Sequence, residues 1–227
     1  MNRATLFAAC LLPLAASAAT RSYETPGFEA ISVTSGVDVE ITLGARRSVV
    51  AESRLGNFDD LRIVVEGNVL KIDRHRAKWY FFGGPGYTVH VVTPLLRSVI
   101  ASAGSDVKAK GATEGDFTIV ASSGSDVHLT GIRGGGVRVT ASSGSDIDLA
   151  GTCSSLDVEA SSGSDVKASD LRCETVVVRA SSGSDLSVSA SRSVAGKMSS
   201  GSDLTVHGAP ASVHVDKSSG ADVSVVN

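Results

Sequence analysis

The chain has 227 residues, a formal net charge of −3, 42% hydrophobic residues and only 4% aromatic ones. That length is enough for one domain with a sizeable core. The slightly acidic balance gives no support to general attraction for nucleic acid, and the scarcity of aromatics argues against a porin-like barrel with aromatic girdles.

Taken in chain order, the first nineteen residues read as a secretory signal. Arg3 supplies a positive start, Leu6 to Ala16 form an apolar run interrupted by Pro13, and Ala16-Ser17-Ala18 offers small residues for cleavage. The expectation is export to the periplasm, the outer membrane or the outside of the cell. Phe7-Ala8-Ala9-Cys10 loosely resembles a lipidation box, but the apolar run continues past Cys10, so ordinary cleavage near Ala18 is favoured. No later segment carries eighteen uncharged apolar residues, so no transmembrane segment is expected in the mature chain. Residues 20–227 read as a single domain, less regular to about residue 97 and regular from about 98.

In the irregular part, Ile31 to Ile41 alternates apolar and polar residues around Ser35-Gly36. Leu61 to Val65 and Val69 to Ile72 read as strands joined by Glu66-Gly67-Asn68, and Tyr87 to Val92 as another, ended by Thr93-Pro94. These segments predict larger coils or a flanking sheet continuous with the regular coils. Between them, Arg74 to Lys78 is basic and Trp79, Tyr80, Phe81 and Phe82 are aromatic, followed by Gly83-Gly84-Pro85-Gly86. The aromatic run has two readings: a cap over the first coil, or a ligand-binding patch able to stack on sugar rings.

From residue 98 onward one phrase dominates. Ser-Gly-Ser-Asp plus an aliphatic residue returns around Gly124, Gly144, Gly163, Gly183 and Gly201, with a first copy that reads Ala-Gly-Ser-Asp around Gly104 and a last that reads Ser-Gly-Ala-Asp around Gly220. The spacing is 18 to 20 residues. Between phrases, residues such as Val137, Val139, Ala141, Ile147 and Leu149 alternate with polar ones, as in strands with one buried face. Two short strands per unit cannot bury a core alone, so successive units must stack at about 4.8 Å. The predicted fold is all-β: a single-stranded β-helix, or parallel β-solenoid, of about one coil per repeat. The crossover preference favours a right-handed winding. A β-sandwich explains the alternation but not the return of each residue to one column.

The column three residues before each motif glycine is alanine from Ala101 to Ala180, then Met198 and Lys217. Such a taper suits a terminal coil that must discourage further strand addition.

The repeated residues fit a coil corner better than a catalytic site. Glycine there supplies a backbone angle or a close approach. Alternation turns Ser105, Ser125, Ser145, Ser164, Ser184 and Ser202 inward and the following aspartates outward. Buried hydroxyls then need partners along their ladder or on the backbone, while the aspartates are expected to accept turn N–H bonds. Asp126, Asp146, Asp165 and Asp185 are weak calcium candidates, because one carboxylate column supplies too few of the six to eight oxygens calcium takes. Identical carboxylates also single out no acid–base pair, and His90, His128, His207 and His214 form no recognised metal or catalytic spacing. No cofactor is expected. Cys153 and Cys173 each lie ten residues before a motif glycine, so they share a column on adjacent coils. A disulfide and two buried thiols both remain open.

The pattern from Phe28-Glu29-Ala30-Ile31-Ser32-Val33, through Leu70-Lys71-Ile72, Val89-His90-Val91 and Thr93 to Val99, to the Ser-Gly-Ser-Asp phrases resembles a bacterial family. Its members are putative auto-transporter adhesins with a head GIN domain, and the resemblance spans about residues 24 to 226. It implies a secreted or surface-associated β-helix and carries no catalytic residues to transfer. The expected function is a non-catalytic envelope or secreted structural or binding module of adhesin type, with a glycan or an envelope protein as partner. The alternative is a β-helical hydrolase or lyase acting on polysaccharide.

Overall fold

The computed structural model describes residues 18–75 and 86–226, apart from the side chains of residues 112 and 113. Sixteen strands and no helix occur among them. The irregular part holds β1 (Ala19–Ser22), β2 (Ala30–Val33), β3 (Val37–Leu43), β4 (Ser48–Ser53), β5 (Leu61–Glu66), β6 (Val69–Arg74), β7 (Tyr87–Thr93) and β8 (Ser98–Ser102). The repeats hold β9 (Val107–Ser122), β10 (Asp126–Ser142), β11 (Asp146–Ser161), β12 (Asp165–Ala180), β13 (Asp185–Met198), β14 (Asp203–His207), β15 (Ser212–Lys217) and β16 (Asp222–Val225). Among the described residues no helix is long and apolar enough to cross a membrane.

The repeats form a parallel β-solenoid. Each of β9 to β13 runs most of one coil, and successive coils pair parallel, with Val127 on Val107 and on Ile147, and Val158 on Val139 and on Val178. The repeat therefore returns each residue to the same column. Inward columns are aliphatic and closed: Val139, Val158, Val178, Leu149 and Val188 are fully buried. A β-sandwich is ruled out by this one-coil-per-repeat register.

The irregular part continues the same sheet rather than forming a second layer. β2 lies between β6 and β8, and β3 between β7 and β9, all parallel. The stretch Ile31 to Ile41 is thus an early coil, with its corner at Ser35-Gly36. Beyond it the direction reverses: β5 pairs antiparallel with β6, and β4 lies antiparallel between β1 and β7. These antiparallel strands terminate the parallel stack, and Phe58 and Tyr87 stack there with ring centroids 6.1 Å apart.

Candidate binding faces of the solenoid

The corner decides which residues face outward. In the coil around Gly124, both Ser123 (φ 57°) and Gly124 (φ 66°) are left-handed, the φ signature of a tight type I′ turn. Ser125 closes that turn from inside. Its Oγ accepts from the Ser122 N–H at 3.2 Å and lies 2.8 Å from the Ser122 carbonyl and 2.9 Å from that of Ala101. The same serine in the other corners bonds backbone too, as in Ser145 to Ala121 and Ser184 to Ser181. Every one of these six serines is fully buried. They satisfy themselves on backbone, so no hydroxyl ladder is needed.

Corners are also tied to one another. The Gly124 N–H donates to the Ser143 carbonyl at 3.1 Å, and the equivalent bond recurs from Gly36 to Gly201. A Cβ on Gly124 or Gly144 would meet nothing within 4 Å. Of the two roles expected for this glycine, the backbone angle is the operative one.

With serine fixed inside, the next residue points to solvent. Asp126, Asp146, Asp165, Asp185, Asp203 and Asp222 stand in direct register on consecutive coils. All are exposed except Asp165, which is half-buried. Among the described residues none of the six carboxylates has an ion pair or a side-chain hydrogen bond, which corrects the expectation that they accept turn N–H bonds. They point away from the corner amides, which are already used between coils.

Two residues further on, a second outward column mixes acidic and basic residues: Glu40, Lys108, His128, Asp148, Lys167. His128 lies 3.1 Å from Asp148, and His90 lies 3.2 Å from Glu40 and 3.6 Å from Glu52. Between the two columns run shallow grooves of about 200 and 300 Å³, which share Asp165 and Lys167 and so succeed one another along the axis. On the face before the corner, a groove of about 430 Å³ is lined by Arg179 and Lys197 and by Ser161, Ser181, Ser199 and Ser218. A fourth groove, of about 350 Å³, lies where Gly136 replaces a side chain and its N–H donates to Asp116 at 2.8 Å.

Among the described residues no group of three or more His, Cys, Asp or Glu is arranged to hold a metal ion. The four aspartates considered for calcium are brought together only as neighbours in one column. Cys153 and Cys173 are joined in a disulfide across adjacent coils, with Cα atoms 4.5 Å apart. Trp79, Tyr80, Phe81 and Phe82 lie outside the described residues, as do Cys10 and the signal segment up to residue 17.

One side-chain cluster was not anticipated from the sequence. Asp60 is buried; its Oδ2 accepts from Arg74 Nη2 at 2.7 Å and Nε at 3.1 Å, and its Oδ1 accepts from the Tyr87 hydroxyl. Burial pushes the Asp60 carboxyl up, but Tyr87 and Arg74 more than reverse this and hold it below its ordinary value of 3.8. Arg74 also lies over the Tyr87 ring at 5.3 Å. Asp60 thereby clasps the end of β6 to the start of β7. A lone Asp-Asp pair after Phe58 offered no periodic signal for this role.

A family model described as "putative auto-transporter adhesin, head GIN domain" matches residues 27–210. No curated protein matches the chain. Among solved structures, a putative adhesin of Bacteroides fragilis NCTC 9343 is similar with a TM-score of 0.84 at 15% identity, covering 93% of this chain and 98% of that one. A putative lipid binding protein of Parabacteroides distasonis ATCC 8503 has a TM-score of 0.72 at 15% identity, covering 94% and 98%. A putative adhesin of Parabacteroides merdae ATCC 43184 gives the same TM-score, identity and coverage. At such identities the likeness is one of fold.

Proposed function

Because this chain belongs to the head GIN domain family of putative auto-transporter adhesins, we propose that it is an exported, surface-associated binding module that acts without catalysis. The observation that carries this reading is the register of its outward columns. Equivalent polar residues repeat coil after coil along open, shallow grooves, as on an elongated face that meets a linear glycan or an envelope protein through many similar contacts. Acid–base hydrolysis of a glycan instead needs two carboxylates in unlike environments. The column aspartates repeat one corner position on consecutive coils, five of the six exposed and Asp165 half-buried, and Asp60 is committed to Arg74 and Tyr87.

The test is a binding screen of the purified chain against immobilised envelope glycans and envelope proteins. The screen is repeated with Asp146→Asn/Asp165→Asn/Asp185→Asn on one face and Arg179→Ala/Lys197→Ala on the other. One face should lose binding while the other keeps it. Release of product from a polysaccharide, abolished by a single carboxylate change, would overturn the reading. Trp79→Ala belongs in the same screen, and unchanged binding there removes the aromatic run from the contact surface.

A further inference from the structure

The two ends of the solenoid are finished differently. At the first end antiparallel strands cross the stack, and Phe58 and Tyr87 are buried there. At the last end, among the described residues, β15 pairs only with β13 and β16 only with β14. Among the described residues no strand pairs with the outer edge of either, and none covers the inward columns there. Val213 and Val225 are 37% and 50% exposed, Val215 and Val223 are half-buried, and Lys217 is exposed. An edge of this kind is a template for strand addition.

We propose that a second copy of this chain covers this edge, in a closed two-fold dimer in which β15 pairs antiparallel with its own counterpart about Val215. The pattern of β15 is self-complementary in that register. In an antiparallel pair, directly opposed residues lie on the same face. Pairing about Val215 sets Val215 on Val215 of the second copy within the core, and His214 opposite Asp216 of the second copy on the outer face, twice by symmetry. Lys217 falls opposite Val213 of the second copy at the margin of the pair, where its stem covers the valine and its amine reaches water. A parallel head-to-tail stack would instead bury Lys217 within the continued inward column, the position occupied by fully enclosed Met198 one coil earlier. Lys217 therefore opposes open-ended stacking and permits the two-fold pair, which closes on itself.

Light scattering on the full chain over a concentration series tests this, with circular dichroism to confirm that each variant is folded. The wild type should show the mass of two chains. Val215→Lys, which sets two ammonium groups face to face, should weaken the dimer on the order of 100-fold. His214→Asp should weaken it about tenfold by opposing two carboxylates, and the exchange His214→Asp/Asp216→His should restore it. A wild type that stays at one chain up to about 100 µM, a dimer that survives Val215→Lys, or an exchange that fails to restore pairing overturns the proposal. A monomer that captures strands of another protein overturns it too.

Discussion

At each corner a serine or alanine precedes the glycine in the same left-handed backbone, from Ser35 to Ser219. For a residue with a Cβ this costs about 1–2 kcal/mol, and from Ala103 to Ser219 the inter-coil bond from the preceding coil's glycine N–H holds it there. Alternation within the phrase was enough to turn serine in and aspartate out. The left-handed serine was not legible, because nothing in serine's chemistry marks it for that region. Two glycines separate angle from space. Gly144→Ala meets open space and should cost about 1–2 kcal/mol, whereas a Cβ on Gly151 would lie 2.2 Å from the Ile132 carbonyl oxygen, so Gly151→Ala should cost about 3 kcal/mol or more. Urea titrations of the two variants check the order, and equal losses would contradict it.

Asp60 makes a second prediction at this scale. Asp60→Asn removes charge-assisted bonds to Arg74 and Tyr87 and should cost about 1.5–3 kcal/mol at neutral pH. Because the folded-state pKa is depressed, the ionised wild type holds its full advantage above the ordinary value of 3.8. That advantage is lost as pH falls through the lower folded-state value. Denaturation curves at pH 7 and near pH 3 should therefore show the gap between wild type and variant narrowing with acid; a gap independent of pH would exclude the ion pair as its cause.

Among the elements, the strands of the regular coils were readable because one inward set repeats in every period. The first strands were harder. β5, β6 and β7 show clear alternation, but β4 begins with Ser48 and ends with a buried Ser53, so its inward face reads Val49, Ala51, Ser53 rather than as an apolar stripe. Its antiparallel pairing with β7 followed from no local signal, since strand direction is set by the chain's return path. The shared column of Cys153 and Cys173 was visible from spacing alone, while the choice between thiols and a bridge needed the facing side chains. Their disulfide closes one coil, 20 residues apart. Its loss should remove about 3 kcal/mol yet leave the coil-to-coil register intact. Cys153→Ser/Cys173→Ser should therefore melt lower with an unchanged far-ultraviolet spectrum, and a collapsed β spectrum would show the bridge to be required for folding.

For the molecule as a whole, the coils are interchangeable units: corner, inward columns and outward columns recur with small local changes, and only the ends are specialised. The same property that let the fold be read from the period hid the contact residues, because a repeated aspartate column marks no single position. Equivalence between coils therefore underlies both the packing and the proposed binding. Removing residues 126–145 excises one 20-residue period and joins Ser125 to Asp146, residues that fit the same corner. Removing 126–135 takes half a period and throws every later column out of register. The decisive measurement compares the two deletions by thermal unfolding and by binding to whichever glycan or envelope protein the screen identifies. The account predicts that the one-coil deletion folds with a single transition and keeps part of its binding, while the half-coil deletion does not fold. A one-coil deletion that unfolds like the half-coil one, or that folds and loses all binding, would contradict it.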